Sequence, residues 1–237
     1  MIKKNTNIIA LIPAKKNSRG LKNKNLKKLN KLSLVELAIL GAKKSKLINK
    51  IYLSSDSDKI LNIGTKLNIN VIKRKKFLST SSALANSVIL DFIKNELKSI
   101  KEDHIIVYLQ PTSPFRNNNH IDLAIKYLKK NKLKSVISVM ENKNFFKSLY
   151  KKKKTLNPFF NDNFVTNNRQ NLKTVYSPNG AIYIFYASEF MKNKKLSFVK
   201  SGYSVMNRID SIDIDDKEDY LLAKHLSKKY LKFKNDI

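Results

Sequence analysis

The sequence predicts an α/β protein with a doubly wound, mostly parallel sheet. Three observations point there. Short apolar runs rich in Ile, Val and Leu alternate with segments of helical period along most of the chain. The chain has 237 residues, a length that a single core can fill, and 42% of them are hydrophobic. No internal repeat and no Gly-, Pro- or Ser-rich linker divides it.

Taken in order, Ile8–Pro13 reads as the first strand and leads into a basic loop. A helix is predicted over Leu34–Lys44, a strand over Lys50–Ser54, and a helix over Ser57–Leu67, which Asp56 and Asp58 are expected to cap. Strand Asn70–Ile72, helix Ala83–Ser99, strand Ile105–Gln110, helix Ile121–Lys130 and strand Ser135–Val139 continue the alternation. It resumes at strand Ala181–Phe185 and ends in a helix over Asp216–Tyr230, with Asp216 as its cap. In that last helix Tyr220, Leu221, Ala223, Leu226 and Tyr230 are expected to form a buried stripe. Asn142–Tyr176 breaks the rhythm: it is polar, yet carries Phe145, Phe146, Phe159 and Phe160. An arm inserted over residues 142–176 into one domain spanning 1–237 would look like this, whether as a dimerisation arm, a lid or a long loop.

Composition limits the function classes. With no cysteine, neither a disulfide framework nor a thiolate metal site can form. No apolar run approaches a membrane span of about 20 residues, and the polar start of the chain does not read as a signal peptide. A cytoplasmic protein with no membrane partner is expected. Lys plus Arg total 48 against 18 acids, a formal charge of +30. That balance raises the possibility of an RNA or polyanion binder. The excess is lysine scattered over the whole chain, however, and it accompanies abundant Asn and Ile, so solvated lysine faces explain it better and no nucleic-acid partner is expected. His104, His120 and His225 show no metal-ligand spacing.

In open α/β sheets ligands bind outside the carboxyl ends of the strands, so the informative residues should follow the strand runs. After the first strand, Lys15, Lys16, Arg19 and Lys24 surround Gly20 in a loop able to wrap a triphosphate, although it lacks the Walker A spacing. Near the end of the chain, Asp213 and Asp215 alternate inside an apolar stretch. On an extended strand both carboxylates would face one side and could meet one cation.

Four ordered blocks carry a resemblance. Ile12-Pro-Ala-Lys-Lys-Asn-Ser-Arg-Gly-Leu-Lys-Asn-Lys-Asn25, Leu109-Gln-Pro-Thr-Ser-Pro-Phe-Arg116, Arg169-Gln170 with Ser177-Pro-Asn-Gly-Ala-Ile-Tyr-Ile184, and Asp210-Ser-Ile-Asp-Ile-Asp215 together resemble the acylneuraminate cytidylyltransferases over nearly the whole chain. The resemblance implies a sheet of the nucleotide-diphospho-sugar transferase type with a small dimerisation arm. It also implies coupling of CTP, with Mg²⁺, to a nine-carbon 2-keto sugar acid of the sialic, legionaminic or pseudaminic type. The anomeric hydroxyl would attack the α-phosphorus and pyrophosphate would leave.

By the same resemblance, Asp213 and Asp215 hold Mg²⁺, and Lys15, Arg19 and Lys24 offset triphosphate charge. Ser18, Gly20, Asn25 and Arg74 join Lys15 and Lys24 around the nucleotide. Gln110, Lys147, Arg169, Asn179 and Tyr183 face the sugar, with Lys147 and Arg169 reaching across a homodimer with shared active sites. Arg116 reads as structural. The chain departs from the family pattern at Lys15, where Arg is usual, at Arg19, where Lys is usual, and at Lys75, where Pro is usual. It departs further at Ala85, where a base-reading Ser or Thr is often found, with Ser81, Ser82 and Asn86 as possible substitutes. The competing readings are a same-fold nucleotidyltransferase for another sugar acid, an inactive relative, and the polyanion binder.

Overall fold

Successive side chains of the first strand, β1 (Ile8–Pro13), serve two different cores. Ile8, Ala10 and Ile12 pack in one cluster, and Ile9 and Leu11 in another. A strand apolar on both faces must lie at the centre of a covered sheet. The computed structural model describes residues 6–18, 20–80, 84–97, 103–197 and 199–231. Arg19, Ser81 and Ser82 therefore lie outside the described residues.

After β1 come a two-residue hairpin, β2 (Lys28–Leu29) and β3 (Leu32–Ser33), then α1 (Leu34–Lys43), β4 (Lys50–Ser55), α2 (Asp58–Lys66) and β5 (Asn70–Lys73). They are followed by α3 (Ala85–Glu96), β6 (Ile105–Tyr108), α4 (Asn118–Lys130) and β7 (Ser135–Glu141). The segment that broke the sequence rhythm contains β8 (Leu149–Lys152), β9 (Thr155–Pro158) and the short α5 (Asp162–Thr166). The chain then completes β10 (Tyr176–Tyr186), α6 (Ala187–Asn193), β11 (Gly202–Val205) and α7 (Lys217–Tyr230).

Seven strands form the central sheet in the order β11-β7-β10-β6-β1-β4-β5. Only β10 runs antiparallel to its neighbours, β6 and β7; every other pair is parallel. The predicted mostly parallel α/β sheet is thus the observed one. Helices α1, α2 and α4 cover one face through Val35, Ile39, Ile60, Ile121 and Ile125, while α3 and α6 cover the other through Ile89, Phe92 and Phe190. A third cluster, around Leu29, Leu34, Phe115, Ile214 and Ala223, docks α7 beside the end of the sheet.

Local chemistry sets the helix starts. Ser33 and Glu36 form a reciprocal capping box on α1, and Asp216 and Asp219 do the same on α7, as expected for Asp216. Two expectations need correction. The N-cap of α2 is Ser57, not Asp56 or Asp58. Asp56 instead accepts from the Lys16 backbone N–H at 2.7 Å, and Asp58 pairs with Lys73. The α7 stripe is narrower than predicted: Ala223 is buried, Tyr220 and Leu226 pack against it, and Leu221 and Tyr230 are exposed. The β2–β3 hairpin, β8, β9, α5, α6 and β11 lie where no element was expected.

Candidate active site

The cleft opens at the carboxyl ends of β1, β5 and β6, where loops diverge and the sheet no longer fills the space. It measures about 710 Å³ and is lined by Lys15, Ser18, Gly20, Lys24, Asn25, Arg74 and Gln110, facing Asp213, Asp215 and Asp216. Residues separated by about 200 positions in the chain thus share one wall-to-wall space.

Each lining group is held for a reason. Asn25 Nδ2 donates to the Lys15 carbonyl at 2.8 Å, closing the basic loop on itself. Lys24, although cationic, is buried, and its Nζ lies 3.0 Å from Asp215 Oδ1. Gly20 is needed where the loop meets the acidic segment: a Cβ there would sit 2.2 Å from the Asp215 carbonyl oxygen. Arg74 is buried at the end of β5; its Nε and Nη2 donate to Ser54 Oγ and O at 3.2 and 2.9 Å. Burial lowers its pKa, with Tyr108 and Asp56 acting in the opposite direction.

Asp213 and Asp215 do not belong to a ladder strand, contrary to expectation. The Ile214 N–H donates to the Thr112 carbonyl at 2.9 Å, and that bond ties the segment to the loop after β6. Ile214 is fully buried, which leaves both flanking carboxylates on the cleft side. Burial pushes the Asp213 carboxyl above the ordinary Asp range; the Thr112 hydroxyl counteracts this, and nearby Asp215 adds to it. Its Oδ1 is buried without a hydrogen-bond partner among the described residues. A buried carboxylate oxygen left unpaired beside a second carboxylate is a poor structural arrangement and a good cation ligand. No cluster of three or more His, Cys, Asp or Glu exists among the described residues. Two carboxylates nevertheless suit Mg²⁺, which ordinarily draws further oxygens from phosphates and water.

Arg116 is buried and supports the site from below: its Nη1 donates to the carbonyls of Gln110 and Ala181, both at 2.8 Å. Burial lowers its pKa to about 10, so it stays cationic at neutral pH, with Asp213 nearby. The structural role expected for Arg116 is the observed one.

The sugar-side residues do not all meet in the cleft. Gln110 lines it. Asn179 is buried behind it, with Nδ2 donating to Ser211 Oγ at 2.9 Å and Oδ1 accepting from Ser138 Oγ and Ala181 N. These bonds fix an irregular bend in β10, where the register to β7 shifts between Pro178 and Tyr183. The bend presents Gly180, at φ +75°, to Gln110 and Asp213. Asn179 shapes the cleft by holding Gly180 rather than by lining it. Tyr183 pairs with Tyr108 across β10 and β6, their rings 6.2 Å apart, and borders a smaller pocket of about 240 Å³ with Val136, Phe185 and Phe190. Lys147 lies in a short 3-10 turn of the inserted segment, outside the cleft lining, and the backbone of Arg169 lies in another; of the Arg169 side chain the structure describes nothing. Thr112, Tyr108 and Gly180 were missed in the sequence as site residues. Their positions just after or within strand ends were the available signal.

The sequence from residue 9 to 231 matches the cytidylyltransferase family. The chain belongs to that family. It is 31% identical to the N-acylneuraminate cytidylyltransferase of Escherichia coli O18:K1:H7, over 98% of this chain and 55% of that protein. It is 27% identical to the CMP-N,N'-diacetyllegionaminic acid synthase of Campylobacter jejuni, over 92% of this chain and 95% of that protein. The chain thus spans about half the length of the first relative and nearly all of the second. Among solved structures, a CMP:2-keto-3-deoxy-manno-octonic acid synthetase complexed with CTP superimposes with a TM-score of 0.65 at 9% identity, covering 94% of this chain and 99% of that one. A 4-diphosphocytidyl-2C-methyl-D-erythritol synthase gives 0.66 at 11% identity, covering 94% and 98%. These two likenesses establish the cytidylyltransferase fold and no more. Among the described residues, no helix is long and apolar enough to cross a membrane.

Proposed function

We propose that this cytidylyltransferase couples CTP to a nine-carbon 2-keto sugar acid, giving the CMP-sugar and pyrophosphate. The observation that carries the reading is Asp213, which lines the cleft opposite the Lys15–Asn25 loop and whose Oδ1 is buried with no hydrogen-bond partner among the described residues. Relatives named for CMP activation of acylneuraminic and diacetyllegionaminic acids support the substrate class.

Asp213 and Asp215 would hold Mg²⁺, which when bound supplies charge neutralisation at phosphate oxygens. Lys15, Arg19 and Lys24 offset the triphosphate charge, Ser18, Gly20 and Asn25 shape the loop that carries it, and Arg74 anchors the nucleotide side. Gln110 orients the acid, while Gly180 leaves room for it against Asp213. The protein's contribution is mainly positioning and fixed charge.

In the same reading the inserted segment is a dimerisation arm. Phe145, Phe146, Phe159, Phe160 and Phe164 pack ring against ring with centroids 5.0 to 5.6 Å apart, yet Phe159 and Leu156 remain 64% and 65% exposed. An apolar cluster stiffened this way and left open to water suits a second copy of the chain. Lys147, which lies outside the described cleft lining, and Arg169 would then serve the partner's acidic sugar. We place the protein in the cytoplasm, in keeping with its lack of cysteine.

Incubation with CTP, Mg²⁺ and a panel of sialic, legionaminic, pseudaminic and octulosonic acids tests the reading. A CMP-sugar formed from a nine-carbon acid supports it. Product from the octulosonic acid alone would replace the substrate, and salt-sensitive RNA binding with no product from any acid would overturn the reading.

A further inference from the structure

The cleft has two chemically different ends. One carries Lys15, Lys24, Asp213 and Asp215, and the other is walled by Leu78, Ala85 and Val88 with Arg74 and Tyr108 against them. Phosphates belong at the first end by charge, and a planar base fits the second by its apolar walls. Something polar must still read the base edge there. Ala85 has no hydroxyl to offer. Asn86 is committed elsewhere, its Oδ1 accepting from the Leu196 N–H at 3.1 Å. Among the described residues that line this end, Arg74 and Tyr108 are the ones with polar side chains; Ser81 and Ser82 lie outside the described residues.

Resting on the function proposed above, we propose that the Tyr108 hydroxyl reads the nucleotide base and sets the preference for cytosine. Tyr108 is the last residue of β6, and it is buried. It packs with Ile89 and Phe92 of α3 and meets Tyr183 edge to face. The Arg74 guanidinium cannot swing away, because two bonds to Ser54 and its own backbone bond to the Ser55 carbonyl at 2.8 Å hold it. It lines the same cleft as Tyr108 and offsets part of the upward push that burial gives the phenol pKa.

A fixed positive charge beside a phenol draws the oxygen lone pairs toward itself and turns the O–H outward. Tyr108 therefore presents a donor to the cleft. Cytosine offers an acceptor at N3, where uracil carries a hydrogen, while O2 accepts in both bases. A fixed donor at that edge matches the first base and opposes the second, and a mismatched polar edge discriminates more sharply than shape does.

Isothermal titration of CTP and of UTP, without sugar acid, into wild type and Tyr108→Phe tests this. Wild type is expected to prefer CTP. In Tyr108→Phe, CTP affinity is expected to fall about three- to tenfold, the loss of one hydrogen bond, with UTP affinity unchanged or raised. Steady-state turnover should show the same change in KM for CTP, with kcat and the KM for the acid preserved. Unchanged CTP affinity in the folded variant, equal weakening of CTP and UTP, or a wild type indifferent between them would each overturn the assignment. A wild type that binds no nucleotide at all would instead sink the proposed function itself.

Discussion

Lys24 Nζ and Asp215 Oδ1, 3.0 Å apart, join the loop after the first strand to the segment before the last helix. The lysine side chain is 11% exposed and the aspartate 79%, so a largely buried cation is held at the mouth of the cleft by a partner that solvent can reach. This bond brings the phosphate side and the metal side of the proposed site into one place. Substituting Lys24 by Ala should lower kcat/KM for CTP about a hundredfold, in line with losing one preorganised charge. Because its partner is exposed, the change should cost about 1 kcal/mol of stability or less. Thermal melting alongside steady-state kinetics separates the two effects.

Gly20 is expected to tolerate no side chain. A Cβ 2.2 Å from the Asp215 carbonyl must push the basic loop and the acidic segment apart. Displacement by about 1 Å is enough to cost about a hundredfold in rate. Gly20→Ala should therefore be folded, with a cooperative melt, but slow; wild-type turnover in this variant would show that the loop's close approach is unimportant.

Arg116 should be the reverse case, a residue whose loss is felt in stability. Its Nη1 holds the carbonyls of Gln110 and Ala181; in Arg116→Ala both would lose that donor, and the Gln110 carbonyl would keep only the Ser113 N–H at 3.5 Å. A destabilisation of about 3 kcal/mol is expected from breaking such a buried charged network, read from urea unfolding.

His120 should make stability depend on mild acid. Its Nδ1 accepts from the Asn117 N–H at 3.2 Å, so Nε2 carries the proton directed at Asp210 Oδ2, 3.3 Å away. Burial lowers its pKa below the ordinary 6.5, outweighing Asp210, so the ring is neutral at pH 7 and the contact is a hydrogen bond rather than an ion pair. With the folded pKa depressed, the unfolded chain binds the proton more readily. The stabilising contribution is complete above about 6.5 and is lost as pH falls through the lower folded value. Unfolding free energies measured from pH 7 downward should fall less steeply in His120→Gln.

Much of this was legible in the sequence because periodicity and position carried it. The continuous apolar run Ile8–Pro13 marked a strand, and its two faces serve separate clusters. The rule that ligands gather at strand ends located the cleft. What escaped depended on contacts distant in the chain. Gly202–Val205 forms an edge strand whose outer residues Tyr203 and Val205 are half-exposed, so its pattern looked like a loop. The expected strand at Asp213–Asp215 is replaced by a single backbone bond to Thr112, which no local pattern announces. Asn179 was read as a sugar contact, yet its amide is taken up by Ser138 and Ser211, partners 41 and 32 residues away. Its pairing was invisible without the fold.

The most direct test of the central claim is pyrophosphate release from CTP and Mg²⁺ with a nine-carbon 2-keto sugar acid, comparing wild type with Asp213→Asn. The account predicts release by wild type and a loss of about a hundredfold or more in the folded variant, because the amide cannot replace the carboxylate of Asp213, which lines the cleft. Equal release by both proteins would contradict it.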